Sequence, residues 1–129
     1  MVVDSSALMA ILLAEAEERA FRGAIRTAAN RLMSGPTRVE CGIVALARRG
    51  ETGLEQMQAL IEQIQLEVVP LSSEHTRLAI EAFRRFGKGR HPAGLNFGDC
   101  FSYALAKATG EPLLFKGADF SQTDIKPAL

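Results

Sequence analysis

Short apolar runs alternate along this chain with longer segments whose apolar residues recur at helical spacing. The short runs predict four strands, at Met1–Val3, Arg31–Ser34, Glu67–Leu71 and Pro112–Phe115, of which the first and the last are buried, and a further short strand around Ile125. Strands that are apolar throughout and alternate with helices are typical of a parallel sheet covered on both faces. We therefore predict a three-layer α/β/α sandwich with a short parallel sheet.

The segments between these strands carry helix signals at their ends. They predict helices over these ranges: Ser5–Ala14, Ala16–Ala28, Thr37–Arg49, 54–64, 73–86 and Phe97–Ala108. Ser5 or Ser6 can cap the first helix, Gly50 ends the third and Gly87 ends the fifth. The stretch Lys88–Leu95 is rich in Gly, Pro and basic residues, which predicts a loop.

Four acidic residues fall where the predicted backbone passes from one element to the next. Asp4 follows the first strand and Asp119 follows the fourth, while Glu40 and Asp99 lie in the first turns of helices. A parallel α/β fold gathers strand ends and helix starts at one edge, so these four side chains are expected to converge. Clustered carboxylates repel unless a cation neutralises them, and oxygen ligands alone suit Mg²⁺ or Mn²⁺. A divalent-metal site is the first hypothesis.

Each of these acids also has a purely structural explanation. Asp4 can cap a helix, Asp119 can organise a turn, and Glu40 and Asp99 sit at the fourth position of capping boxes. However, Glu40 shares a helical stripe with Ile43, Val44 and Ala47, and Asp99 shares one with Tyr103 and Ala106. No Lys or Arg lies on those stripes to pair an inward-facing carboxylate, and an unpaired buried charge is costly. We expect Asp4 and Asp99 to hold the principal ion, and Glu40 and Asp119 to complete or orient its shell.

The composition limits the classes of protein to which this chain could belong. The 129 residues suit one domain, residues 1–129, and 47% hydrophobic with 23% charged residues is typical of a globular protein. Lys plus Arg equal Asp plus Glu, so a nucleic acid would have to be bound by a local basic patch. The two isolated cysteines, and the lack of a signal-like start, predict a cytoplasmic protein. The longest apolar run, Ala7–Ala14, is too short to span a membrane.

Taken in order, four pieces of the chain resemble the PIN-domain ribonucleases, specifically the VapC-like toxins of bacterial type II toxin–antitoxin pairs. They are the segment Gly87–Cys100, the segment Leu113–Ser121, the opening Val2–Ala7, and the isolated Glu40. The resemblance covers essentially the whole length. It implies a Mg²⁺-dependent endoribonuclease that uses Asp4, Glu40, Asp99 and Asp119.

The same resemblance implies further properties. The substrate would be RNA, with transfer RNA among the candidates, and a cognate antitoxin would block the acidic pocket with its tail. A homodimer is implied as well. Ser6 would support Asp4 through a hydrogen bond. The chain departs from many members of this family at Ala118, where they carry Asn before the last Asp, so the turn and the hydrogen bonds around Asp119 are expected to differ.

Other polar residues have both a functional and a structural interpretation, whereas the aromatic residues have a structural one. Arg84, Arg85, Lys88 and Arg90 are either a solvated helix end or a rim that grips RNA phosphates. His91 could act as a general base, but a loop histidine beside Pro is more often structural. Five aromatic residues are predicted to lie in the core: Phe83, Phe86, Phe97, Phe101 and Tyr103. With no Trp and a single Tyr, the sequence predicts no exposed platform for base stacking.

Two rival classes are compared with the nuclease. A receiver-type phosphoacceptor domain also places acids at strand ends around Mg²⁺, but it usually has two adjacent acids after its first strand and an acceptor Asp after its third. Here Asp4 is followed by Ser5, and the run ending at Leu71 has no Asp after it. A catalytically inactive PIN-fold binding module is the other alternative, which the presence of all four acids disfavours without excluding.

Overall fold

The computed structural model describes all of residues 1–129 and contains four strands and five α-helices. In chain order they are β1 Val2–Val3, α1 Ser5–Leu12, α2 Glu18–Thr27, β2 Leu32–Ser34, α3 Gly35–Gln63, β3 Glu67–Val69, α4 Ser73–Phe86, α5 Phe97–Thr109 and β4 Leu113–Leu114. A 3-10 helix, Phe120–Gln122, follows β4. No helix combines the length and the apolarity needed to cross a membrane.

All four strands are parallel, in the order β3-β2-β1-β4. Successive side chains of each strand point to opposite faces of the sheet, so the strands contribute side chains to two hydrophobic cores. Val3, Met33 and Leu114 pack with α1, α2 and α3 on one face. Val2 and Leu113 pack with α4 and α5 on the other. The predicted three-layer α/β/α sandwich with a short parallel sheet is confirmed.

The third helix begins earlier than the sequence predicted, and this changes the environment of Glu40. Ser34 is extended and Gly35–Pro36 form the first helical residues, because a proline in the first turn has no N–H that the helix needs. Thr37 is therefore inside the helix, and the predicted Thr37–Glu40 capping box is wrong. Gly50 interrupts the helix with φ 65° and ψ −155°, a backbone conformation that strongly favours glycine.

Two further predictions need correction. The segment around Ile125 is not a strand, because only one isolated bridge, between Leu113 and Pro127, joins the tail to the sheet. Phe97 and Phe83 are not core residues: Phe97 is 79% exposed and Phe83 is also exposed. The ring of Phe97 packs edge-on against Phe101, with centroids 4.9 Å apart, at the surface of the α5 N-terminus.

Candidate active site

Asp4 is the most buried of the four acids, with 3% of its surface exposed. It ends the central strand β1, donates its backbone N–H to Leu114 O (2.9 Å), and caps α1. Its Oδ2 accepts from Ser6 N (3.1 Å) and Ser6 Oγ (2.6 Å), and its Oδ1 accepts from Ser102 Oγ (2.6 Å). These bonds fix both carboxylate oxygens at the carboxyl edge of the sheet.

Glu40 approaches the same edge from α3. Its Oε1 accepts a hydrogen bond from the Ser5 hydroxyl, which joins the first turn of α1 to α3. Its Oε2 lies so close to Gly98 that a β-carbon at that position would overlap it, with the Glu40 Cδ only 3.1 Å away. Gly98 therefore leaves the space that the Glu40 carboxylate occupies beside the start of α5.

Glu40 does not lie on the buried stripe that the sequence indicated. Ile43 is 62% exposed and Ala47 is exposed as well, so the predicted Glu40–Ile43–Ala47 face is wrong. The buried face of α3 carries Thr37, Cys41 and Ala45 instead. Glu40 is half-buried at the boundary of that face, because its carboxylate turns toward Ser5 and α5 rather than toward the core.

Asp99 lies in the first turn of α5 and forms a complete capping box with Asn96. Its Oδ2 accepts from Asn96 N and its N–H donates to Asn96 Oδ1, both at 2.9 Å. Burial raises the pKa of Asp99 to about 6, although the hydrogen bond from the Asn96 backbone opposes the rise. The negative charges of Asp4, Asp119 and Glu40 contribute to the rise in pKa. Asp99 is therefore close enough to the other three acids for their charges to affect it.

Asp119 is the most peripheral member. It is exposed at the start of the 3-10 helix after β4, and its side chain makes no capping hydrogen bond. Ala118 is exposed, and its carbonyl oxygen accepts a hydrogen bond from Ser121 Oγ (2.5 Å). Asp119 shares no hydrogen bond with the other acids. Its negative charge nevertheless contributes to the raised pKa of Asp99.

Carboxylate oxygens are suitable ligands for a hard divalent cation such as Mg²⁺. The four carboxylates, however, lie too far apart in this structure for three of them to share one ion. No three His, Cys, Asp or Glu side chains stand close enough together to hold an ion in this arrangement. A divalent cation held by these carboxylates would offset their mutual repulsion. None of the four forms a salt bridge with a Lys or Arg, so no protein cation neutralises them.

A buried hydroxyl beside Asp4 supports this fit. Ser34, at the end of β2, is 2% exposed and its Oγ has no hydrogen-bond partner. The register Val2↔Leu32, continued two residues along the parallel pair, places Ser34 next to Asp4. Strand alternation points both side chains to the face covered by α5. An orphan buried hydroxyl is normally satisfied by water, and a hydrated Mg²⁺ brings several waters.

Apart from Ser6, whose predicted hydrogen bond to Asp4 is present, the sequence did not identify the hydroxyl residues that hold the acids. Ser102 donates to Asp4 and lies 3.4 Å from Thr37 Oγ1, and both residues are buried. Ser5, which the sequence suggested as a helix cap, donates to Glu40 instead, while Asp4 caps the helix. The only signal for Ser102 was its position three residues after Asp99, which places it one turn further along α5.

Comparisons with known proteins agree with this architecture. The sequence profile described as PIN domain matches residues 1–126. The chain is 45% identical to VapC ribonuclease Mb0640 of Mycobacterium bovis and to ribonuclease VapC30 of Mycobacterium tuberculosis, over 97% of this chain and 95% of theirs. It is 45% identical to a ribonuclease VapC of Mycolicibacterium smegmatis, over 97% of both chains. The chain belongs to the PIN-domain family of VapC ribonucleases.

Solved structures of more distant relatives share the fold of this VapC-family chain. The crystal structure of Mycobacterium tuberculosis VapC20, described as a sarcin–ricin loop cleaving toxin, has a TM-score of 0.76 at 17% identity, covering 96% of this chain and 95% of that one. A toxin–antitoxin complex from Klebsiella pneumoniae gives a TM-score of 0.69 at 14% identity, with coverage of 95% and 92%. At these identities the likeness establishes the fold.

The basic cluster of this VapC-family chain consists of Arg84, Arg85, Lys88 and Arg90. Its charges are already partly neutralised by contacts within the protein. All four of its residues are exposed, but Arg84 pairs with Glu81, and Arg85 Nη1 lies 3.3 Å from Asp124 Oδ2. Arg90 Nε donates to the Arg84 carbonyl (3.2 Å), so Lys88 alone has no side-chain partner. A phosphate rim here would have to compete with these ion pairs. The rim therefore stays a prediction.

His91 and Lys116 have local partners in this VapC-family chain. His91 Nδ1 accepts from Ala93 N (3.0 Å), and its ring packs edge-on against Phe86, which supports the structural interpretation. Lys116 Nζ pairs with Glu15 and lies 3.4 Å from Glu17. Its backbone N–H donates to Ser6 Oγ (3.0 Å), so the turn after β4 is tied to the residue that supports Asp4.

Gly98→Ala is expected to disable the site while leaving the fold intact. The added methyl group would overlap the flexible end of Glu40, which can rotate away, so the change in Tm should be small. Moving Glu40 breaks its bond with Ser5 and should lower RNA cleavage by about 10- to 100-fold, the usual effect of misplacing a supporting group. Gly23→Ala, also in a helix but with open space around it, is the matched control. Wild-type cleavage by Gly98→Ala would contradict this role of Glu40.

Proposed function

We propose that this chain is a Mg²⁺-dependent endoribonuclease that acts as the toxin of a type II toxin–antitoxin pair. The observation that carries the proposal is a buried Asp4 carboxylate whose charge acts on Asp99 together with those of Glu40 and Asp119, with no Lys or Arg paired to any of the four. Manganese is an alternative ion because it prefers the same oxygen ligands. The curated relatives at 45% identity are named as ribonucleases, which supports RNA as the substrate.

The residues of the candidate site would have different roles in this reaction. Asp4, Glu40, Asp99 and Asp119 would hold the ion, which when bound supplies an activated water and charge stabilisation for phosphodiester hydrolysis. Ser6 and Ser102 keep the Asp4 oxygens in one orientation, and Ser5 does the same for Glu40. The Asn96–Asp99 capping box fixes the start of α5, so Asp99 is held at the beginning of a rigid element.

Partner binding is proposed from the surface next to Glu40. An apolar cavity of about 590 Å³ opens there, lined by Pro36, Val39, Glu40, Ile43, Phe97, Gly98 and Phe101. An antitoxin segment seated in it would lie beside Glu40 and could block the acidic pocket, as the resemblance implies. A solved relative is a toxin–antitoxin complex, which supports a protein partner of this kind. Homodimer formation and cleavage of transfer RNA are also proposed from the resemblance.

Incubation of the purified protein with total RNA tests the proposed activity. We expect discrete cleavage products with Mg²⁺ or Mn²⁺, and none in EDTA, because carboxylates alone would repel the phosphate. Calorimetric titration with Mn²⁺ should show saturable binding in the same buffer. Metal-independent cleavage would contradict the proposed chemistry. Absence of both binding and cleavage would favour the inactive PIN-fold module, whereas membership of the PIN family leaves the receiver-type alternative without support.

A further inference from the structure

A basic cleft lies at the opposite edge of the sheet from the acids. It has a volume of about 370 Å³ and is lined by Arg22, Ile25, Arg26, Arg31, Gln63, Ile64 and Gln65. These residues come from the end of α2, the approach to β2 and the end of α3, all at the amino edge of the parallel strands. The acids belong to the carboxyl edge, so the cleft is separate from the candidate active site.

The three guanidinium groups in the cleft have unused hydrogen-bond donors. Arg31 Nε donates to Ile25 O (2.7 Å) and its Nη2 to Arg26 O (3.4 Å). Arg22 pairs only through Nε, with Glu18 at 2.9 Å. Arg26 has no side-chain hydrogen bond or ion pair in the structure. Because each guanidinium carries five N–H donors, most of the donors are free.

A structural role explains only part of this arrangement. Arg31 ties down the last carbonyls of α2, a usual position for a cation at a helix C-terminus. That role accounts neither for Arg26 nor for the free donors of Arg22. Three arginines line the cleft and no carboxylate does. Only one of these positive charges, that of Arg22, is paired with a carboxylate, which belongs to Glu18 outside the cleft. Such an arrangement attracts anions and concentrates them at the surface.

We propose that this cleft binds a phosphate group. Arginine forks match phosphate oxygens with paired, charge-assisted hydrogen bonds, and the side-chain amides of Gln63 and Gln65 add neutral donors. The volume is within the range of small-ligand sites, so a nucleoside monophosphate fits as well as a single backbone phosphate of RNA. The inference concerns binding alone and holds whether or not the acidic site cleaves RNA.

Titration with inorganic phosphate in EDTA isolates the cleft, because without a metal ion the four carboxylates repel the same anion. We expect saturable shifts of arginine side-chain N–H signals in NMR spectra. Arg26→Gln should weaken binding about tenfold through loss of a charge-assisted hydrogen bond, and Arg22→Gln should do the same. Neither variant removes the Arg31 bonds to α2, so both should fold normally.

Arg19→Gln is the matched control, because Arg19 lies exposed on the same helix, makes no side-chain bond and is outside the cleft. It should leave phosphate affinity unchanged. Equal weakening by Arg19→Gln and Arg26→Gln, or no saturable binding, would overturn the inference.

Titrations with AMP and with a short single-stranded RNA, also in EDTA, distinguish the sources of the phosphate. Weaker RNA binding by Arg26→Gln, but not by Arg19→Gln, would assign the cleft to the RNA backbone. The same pattern with AMP alone would assign it to a free nucleotide.

Discussion

Asp4→Asn is expected to lower RNA cleavage by about 10³-fold while the protein remains folded. The variant removes the most buried negative charge of the site, and metal-assisted charge stabilisation is worth several kcal/mol, with each 1.4 kcal/mol equal to a factor of ten in rate. Mn²⁺ affinity should fall in parallel. The rate of cleavage and the calorimetric binding curve measure the two effects separately.

The fold should tolerate Asn at this position because the side chain keeps its shape. Its remaining oxygen can accept from Ser6 N and Ser6 Oγ, and its new amide can donate to Ser102, whose hydroxyl serves as donor or acceptor. The thermal melt should therefore move by only a few degrees.

Asp124→Asn is the matched control for Asp4→Asn. Asp124 is also hydrogen-bonded, to Tyr103 OH (2.7 Å) and Lys107 Nζ (2.9 Å), but it belongs to the tail and not to the acidic pocket. We expect this variant to cleave RNA at the wild-type rate. Wild-type cleavage by Asp4→Asn, with the control equally active, would remove Asp4 from the site.

The sequence predicted the elements well because their signals are local. Apolar runs, glycine stops and helical spacing placed all four strands and all five helices, including the interruption at Gly50. The positions of Asp4 and Asp99 at element boundaries followed from the same signals. Parallel strands then bring such boundaries to one edge, which is why separate acids could be expected to act on one another.

Contacts between distant elements could not be predicted in this way. The bond from Ser102 to Asp4 joins residues 98 positions apart, and Ser102 looked like any small residue within a helix. The environment of Glu40 was misjudged because Pro36 lets the helix start before Thr37. Phe97 was assigned to the core from its residue type, although the first turn of α5 leaves it at the surface. In each case tertiary packing, which a local pattern does not contain, decided the outcome.

Asp99→Asn is expected to change activity and stability in opposite directions. Cleavage should fall by about 10³-fold, as for Asp4, because a ligand charge is lost. The metal-free variant should nevertheless be more stable than the wild type at pH 7. Burial raises the pKa of Asp99 to about 6 from 3.8, so ionised Asp99 destabilises the metal-free fold at that pH. The Asn side chain keeps an oxygen for the capping bond from Asn96 N, so the helix start is preserved.

The pH dependence follows from the direction of this shift. Between pH 3.8 and about 6 the folded state holds a proton on Asp99 that the unfolded state has released, so wild-type stability falls as pH rises. Above about pH 6 the difference is constant. The advantage of Asp99→Asn should therefore grow from pH 4 to pH 6 and then level off at about 1–3 kcal/mol, after allowance for solvent screening. Thermal melts in EDTA across this range measure it.

Added Mg²⁺ should reverse the order of the two proteins. By the proposed function, the ion would bind the ionised carboxylates of the folded wild type and stabilise it by mass action, whereas the variant would lack one ligand and gain less. Asp124→Asn should behave oppositely in EDTA and lose stability. Burial opposes ionisation of Asp124, but its bonds with Tyr103 and Lys107 and the charges of Lys107 and Arg85 together lower its pKa. If Asp99→Asn is instead less stable than the wild type in EDTA at pH 7, burial and the neighbouring carboxylates do not destabilise ionised Asp99 in the folded state.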